Sequence, residues 1–259
     1  MNPLPLSGRH ALVTGAGSGI GAATARVLAE AGATLTLTGR RAEALQRTLE
    51  RLPRAGSHGW VTMDVCDEAQ VRAQWQEAQG QRGPVAILVN NAGQAESRPF
   101  MKTDGAHWRA MLDVNLMGAV HGCQAALPEM VAAGWGRIVN IASTAALTGY
   151  AYVSAYCAAK HAVLGFTRAL ALEVARKGIT VNAVCPGYTE TPLLDEAVAN
   201  IVGKTGMEEA SARRALAEHN PQGRLVQPAE VAQTVLWLCL PESAAITGQA
   251  IAVAGGEVM

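Results

Sequence analysis

Short apolar runs alternate along the chain with longer stretches of helical composition, and that alternation predicts its architecture. Residues 9–14 form a short apolar run stopped by glycines, the pattern of a buried strand. Residues 19–31 follow with alanine-rich helical composition. The same rhythm predicts further strands at 35–38, 60–65, 85–90, 137–142, 179–184 and 250–253. Helices are predicted between them at 42–52, 68–79, 103–133, 153–176 and 228–240, with a bend at Gly118 or Pro128 and a proline opening the last. Strands alternating with helices throughout imply an α/β fold, a doubly wound parallel sheet covered on both faces.

Composition narrows this picture. A chain of 259 residues fits one large domain whose core needs no disulfide or metal. Lys plus Arg and Asp plus Glu number 21 each, so no net field favours nucleic acid or an anionic membrane, although a local basic cluster can still hold one phosphate. The opening Met1-Asn2-Pro3-Leu4-Pro5-Leu6 lacks a charged leader, and no stretch reaches about 18 apolar residues, so a cytoplasmic protein is expected. The five cysteines are widely spaced and lie mostly in apolar segments, which predicts reduced, buried thiols. No cysteine pair has zinc spacing and the histidines are scattered, so no metal site is expected.

Two patterns carry candidate chemistry. Thr14-Gly15-Ala16-Gly17-Ser18-Gly19-Ile20-Gly21 falls where the first strand meets the first helix. Glycines there let the backbone approach a pyrophosphate, and the helix start presents free N–H groups to it. A glycine-rich turn elsewhere would mean little, but this junction predicts dinucleotide binding, although Gly15, Gly19 and Gly21 do not keep the simplest G-x-G-x-x-G register. The second pattern is Tyr156 and Lys160, four residues apart and so on one helix face. Such a pair is common on ordinary helices and decides nothing alone. Lowering a tyrosine from pH 10 toward neutrality takes roughly 3–4 kcal/mol, which an adjacent lysine and a bound cationic nicotinamide can supply.

In order, Thr14 to Gly21, Asn90-Asn91-Ala92-Gly93 after the fourth strand, Asn115, Ser143, Tyr156 with Lys160, and Pro186-Gly187 with Thr191 resemble the short-chain dehydrogenase/reductase family over nearly the whole chain. The resemblance implies a Rossmann fold and an oxidoreductase with Tyr156 as general acid and, in reverse, base. It implies that Ser143 steadies the substrate oxygen, that Lys160 lowers the Tyr156 pKa and holds the nicotinamide ribose, and that Asn115 positions a water. On the residues alone, Ser143 can instead cap a turn and Asn115 can satisfy a backbone group inside a helix. The resemblance further implies cofactor contacts at Gly15, Gly17, Ser18, Gly19, Ile20 and Gly21. It places Asn91, Ala92 and Gly93 at the adenosine wall, Asp64 and Val65 at the adenine, and Pro186, Gly187, Thr189 and Thr191 by the nicotinamide. The alternative for Asp64 is a turn residue after a strand.

Cofactor choice is written at the end of the second strand. An NAD enzyme usually places a carboxylate there, whereas this chain has Thr38-Gly39-Arg40-Arg41. Two arginines at a helix start oppose its dipole unless an anion arrives, and a 2'-phosphate is such an anion. NADP(H) is expected, with Arg40 in contact and Arg41 solvated; NAD is the alternative if both arginines are merely surface residues.

By the same resemblance, residues 188–224 form a helical substrate lid, with helices at 193–201 and 207–219. Leu193, Leu194, Val198 and Met207 either wall an acyl chain or pack the lid itself; Gln94, Tyr150 and Tyr152 face substrate, unless the two tyrosines are structural; and Arg213 and Arg214 belong to a solvated helix face rather than to a site for a phosphopantetheine or coenzyme A phosphate. Residues 160–192 look most like reductases of 3-oxoacyl thioesters, including polyketide, acyl-carrier-protein and coenzyme A enzymes. Reversible reduction of a 3-oxoacyl thioester or related β-keto compound is therefore the leading expectation. A dehydrogenase of a free secondary alcohol, cyclic or aromatic, is the alternative, and a non-catalytic dinucleotide sensor a remote one. A small-molecule or acyl-thioester substrate is implied, with no nucleic-acid or membrane partner. A homotetramer is also implied, paired through the long helix and the tyrosine helix, with Val120, Leu127, Leu164, Phe166 and Leu170 available for burial. The chain departs from the family pattern at Ala254, where many relatives have aspartate, and at Thr189, where an apolar residue is common.

Overall fold

The computed structural model describes residues 4–54 and 56–259, so the expectation built on Met1, Asn2 and Pro3 lies outside the described residues. Seven strands form one sheet: β1 (His10–Thr14), β2 (Thr34–Gly39), β3 (Gly59–Thr62), β4 (Val85–Asn90), β5 (Gly136–Ile141), β6 (Ile179–Pro186) and β7 (Ala250–Val253). Their spatial order is β3-β2-β1-β4-β5-β6-β7 and every neighbouring pair is parallel. Nine α-helices accompany them among the described residues: α1 (Gly19–Glu30), α2 (Ala42–Leu49), α3 (Glu68–Arg82), α4 (Gly105–Leu112), α5 (Gly118–Ala133), α6 (Ser154–Val174), α7 (Pro192–Thr205), α8 (Glu209–Ala217) and α9 (Pro228–Cys239). The doubly wound Rossmann architecture expected from the sequence is the one observed.

Both faces of the sheet are covered because strand side chains alternate between them. Ala11, Val13, Ile87 and Val89 pack with Leu28 of α1, Leu45 of α2 and Val231 and Val235 of α9. Leu12, Leu88 and Ile138 pack on the other face with Trp75 of α3, Met130 of α5 and Leu170 of α6. Four of the cysteines are buried and free, but Cys66 is exposed, at the turn after β3.

The expected single helix from 103 to 133 is corrected. It divides into α4 and α5 around one π-helical turn, Asp113–Met117, while Pro128 sits inside α5 without ending it. A π turn carries one residue more than α geometry holds and redirects the side chains within it. The expected strand at 60–65 stops at Thr62, because Asp64 turns the chain by accepting a hydrogen bond from the Cys66 amide (2.9 Å). The two helices expected within residues 188–224 form, with longer bounds for the first and shorter for the second.

Candidate active site

Strand order reverses between β1 and β4, so the connections leaving these strands run to opposite sides and open a crevice beyond the strand ends. A cleft of about 1410 Å³ fills it. Pockets for drug-sized ligands span roughly 300–1,000 Å³, so this one has room for a dinucleotide and a second molecule.

One half of the cleft is shaped by the glycine-rich turn. Gly15, Gly17, Ser18, Gly19 and Ile20 line it, whereas Gly21 does not. A Cβ on Gly21 would fall 2.3 Å from the Gly15 carbonyl oxygen, so this glycine lets α1 close onto the turn rather than touching a ligand. Ser18 caps α1 without a side-chain hydrogen bond and the first turn holds no acidic residue, which leaves the positive helix end open to an anion. Asn91 has a bracing role as well. Its side-chain amide donates to the carbonyls of Thr14 (2.9 Å) and Gly15 (3.2 Å), while the Thr14 hydroxyl accepts from the amides of Asn91 (2.9 Å) and Ala92 (3.0 Å). Its side chain braces the turn, while Asn91, Ala92 and Gly93 remain part of the wall. Arg40 and Arg41 both line the cleft and both are exposed, so Arg41 is not set apart from Arg40 as expected. Asp64 and Val65 line the same half, and no carboxylate ends β2.

The other half gathers Ser143, Tyr156, Lys160 and Asn115 from the β5–α6 connection, α6 and the π turn. Ser143 caps a short turn, its hydroxyl accepting from the Ala145 amide at 3.1 Å, and it lies near enough to the Tyr156 phenol to draw its pKa down. Capping and facing the phenol are therefore compatible. Lys160 is buried, lies 5.7 Å from the centre of the Tyr156 ring and donates to the Ile141 carbonyl at 2.9 Å. Asn115 donates to the carbonyls of Gln94 (2.9 Å) and Met111 (3.0 Å) and accepts from the Gln94 amide (3.3 Å). A Cβ on Gly93 would stand 2.8 Å from Asn115 Oδ1 and 3.5 Å from Lys160 Nζ, so only glycine lets these two groups flank that point so closely.

Burial pushes the Tyr156 phenol up to about 12, against a downward pull from the Ser143 hydroxyl. Burial likewise pushes Lys160 down to about 8. Both shifts have the same cause, and Lys160 is not among the groups that move Tyr156. Its phenol stays protonated, as a proton donor requires.

The lid begins against the cofactor half, where Thr191 caps α7 and its methyl would lie 3.0 Å from a Cβ on Gly19. Leu194 and Val198 are buried against Ala212 and Leu216, with Leu194 also reaching the cleft wall, whereas Leu193 is exposed and lines the cleft. Met207 is exposed and takes no part in that core. Pro186, Gly187, Thr189 and Thr191 line the wall between the halves, with the Thr189 hydroxyl donating to the Gly187 carbonyl at 2.8 Å. Gln94 and Tyr150 also line the cleft. Tyr152 is at its rim, 64% exposed and at a φ of 67°, a backbone angle that non-glycine residues seldom adopt. Sequence reasoning missed Glu257, whose carboxylate accepts a hydrogen bond from the Tyr150 phenol.

The family profile described as short chain dehydrogenase matches residues 9–201. A cis-4-hydroxycyclohexanecarboxylate dehydrogenase of Sinomonas cyclohexanicum is 41% identical over 250 residues, 96% of each chain. A 3-oxoacyl-[acyl-carrier-protein] reductase of Aquifex aeolicus is 36% identical over 256 residues, 98% of each chain. An actinorhodin polyketide ketoreductase crystallised with NADPH superposes with a TM-score of 0.92 at 40% identity, covering 96% of this chain and 97% of its own. The chain belongs to the short-chain dehydrogenase family. It is an oxidoreductase that acts on a keto or hydroxy group.

Proposed function

We propose that this protein is an NADP(H)-dependent ketoreductase that reversibly converts a 3-oxoacyl thioester or related β-keto compound to the 3-hydroxy product. The observation that carries the reading is that Tyr156, Ser143 and Lys160 share one cleft with Arg40 and Arg41, at a β2 end that has no carboxylate. Bound reduced nicotinamide supplies hydride to the carbonyl carbon. Tyr156 gives its phenolic proton to the carbonyl oxygen, and Ser143 donates to the same oxygen as negative charge develops there. Lys160, at about 8, holds positive charge at neutral pH beside the phenolate so formed, which then regains a proton from solvent. Asn115 acts through backbone, fixing Gln94 and the Gly93 turn against Lys160. Arg40 and Arg41 present guanidinium groups to a 2'-phosphate.

One assay with three outcomes tests this. NADPH and NADH oxidation is followed by absorbance with an acetoacetyl thioester; higher catalytic efficiency with NADPH supports both parts of the reading. Equal or better efficiency with NADH overturns the cofactor assignment, and no turnover with either overturns the thioester.

A second reading, dehydrogenation of a free cyclic secondary alcohol, has one specific support: the 41% identity to a dehydrogenase of a hydroxylated cyclohexane ring. Oxidation of cyclohexanol without reduction of the thioester selects it. The assembly belongs to the same proposal. Leu164 and Leu170 are buried against the chain's own sheet and so are not free to pair, but Leu172 on α6 is 83% exposed and Phe100 and Met101 are exposed as well. A homotetramer would cover them, and a monomeric mass at micromolar concentration excludes it.

A further inference from the structure

Four segments distant in sequence meet at the substrate end of the cleft. Tyr150, from the connection that carries Ser143, hydrogen-bonds Thr144 Oγ1 at 2.8 Å and donates to the Glu257 carboxylate from the C-terminal tail. Its ring lies edge-on to Tyr188, after β6, and to His219, after α8, with centroids 6.2 Å away in each case. The second Glu257 oxygen sits 2.7 Å from where a Cβ on Gly187 would be, behind the wall between the two halves of the cleft. No lysine or arginine among the described residues is within ion-pair distance of Glu257. A carboxylate held by one phenol, with no ion pair to it and with Tyr188 within its field, keeps a negative potential that protein walls screen less than water does.

We propose that Glu257 is a specificity-determining residue. Its carboxylate, held by Tyr150 beside Gly187, turns the substrate end of the cleft against a negative charge next to the keto group and selects 3-oxo compounds whose C1 group is neutral, as in a thioester or amide, over free 3-oxo acids. The thioester part rests on the ketoreductase reading; the selection by charge does not. Burial and the neighbouring Glu257 both push Tyr150 upward, which keeps its phenol a donor to that carboxylate. Tyr188 is pushed upward by burial and then by the same charge.

The test separates charge from chemistry. Titration calorimetry on enzyme loaded with NADP+ compares acetoacetate with acetoacetamide, an anion and its neutral counterpart, in the parent chain, Glu257→Gln and Tyr150→Phe. Glutamine keeps an acceptor for Tyr150 and removes the charge, so acetoacetate binding should tighten by about tenfold while acetoacetamide changes by less than about twofold. Tyr150→Phe retains the charge and should leave the preference for the amide in place. The inference is overturned if Glu257→Gln shifts both ligands equally or neither, or if neither ligand binds the loaded enzyme. Turnover is scored separately: a charge-selective shift without thioester reduction keeps the selection and discards the ketoreductase reading, and thioester reduction without the shift does the reverse.

Discussion

β5 has a buried cation near each end, and the two do different work. Arg137, at the start of the strand, is 2% exposed, and Lys160, beside its last residue, is 4% exposed; neither joins an ion pair among the described residues. Arg137 donates to the carbonyls of Gly136 (2.9 Å) and Gly178 (3.4 Å) and stacks 4.5 Å from the centre of the Trp135 ring, which Arg9 covers at 3.9 Å. A guanidinium is planar and permanently charged, so it suits a fixed joint between backbone segments. Lys160 spends one of three donors on Ile141, faces the cleft beside Tyr156 and is poised near 8, where its charge can change. The same burial thus makes a brace at one end of the strand and an adjustable group at the other.

The predictions that break or sharpen this contrast begin with the largest. Tyr156→Phe keeps the ring and removes the proton, so kcat should fall by about 1,000-fold with dinucleotide affinity retained by fluorescence titration. Retained turnover would detach the cleft end from the chemistry. Arg137→Ala should cost about 2–4 kcal/mol in denaturant unfolding, because it opens a void and strands two carbonyls, while kcat per folded molecule stays near the parent value. If kcat fell and stability did not, the two ends of β5 would have exchanged roles. Arg40→Ala should lower kcat/KM for NADPH by about tenfold or more and leave NADH within about twofold.

A smaller effect is expected from two buried histidines near the sheet's other edge. His10 bridges the Gly83 carbonyl and the Thr36 hydroxyl at 2.8 Å each, and His58 Nδ1 accepts from the Leu35 amide at 3.1 Å. Burial lowers both below the usual imidazole value of about 6.5, with Arg82 adding to the effect. The unfolded chain therefore takes up these protons at higher pH than the folded one. Stability from this source is complete above about 6.5 and is lost as pH falls through the folded values, so the Tm should drop between pH 7.5 and 5.5. A flat Tm over that window, or a drop that persists in His10→Gln with His58→Gln, would remove the histidines from the account. The smallest effect belongs to the exposed Arg26–Glu30 pair, 3.8 Å apart, whose loss should cost under about 0.5 kcal/mol.

Much of this was legible in the sequence because it depends on local pattern. Apolar runs stopped by glycine mark β1 and β4, and a spacing of four puts Tyr156 and Lys160 on one face of α6. What was not legible depends on pairs far apart or on a count. Glu257 meets Tyr150 across 107 positions, and nothing in Ala254-Gly255-Gly256-Glu257 announces it. Asn91 reads only as a wall residue, and its brace on Thr14 and Gly15 shows once β1 and β4 are seen side by side. Leu194 and Val198 were evenly balanced between wall and lid core until α8 closed over them.

The π turn at Asp113–Met117 bears on how this chain can change its length. Removing one residue there would let the backbone relax into unbroken α-helix, with α4 and α5 continuous. Each residue is worth about 100° of rotation, so Asn115 would swing away from Gln94 and Gly93, or all of α5 would turn on its axis beneath the sheet. Substitution at most of these five positions changes one side chain. A deletion at any of them changes the aim of every residue on one side of it, so this stretch constrains the number of residues as well as their identity.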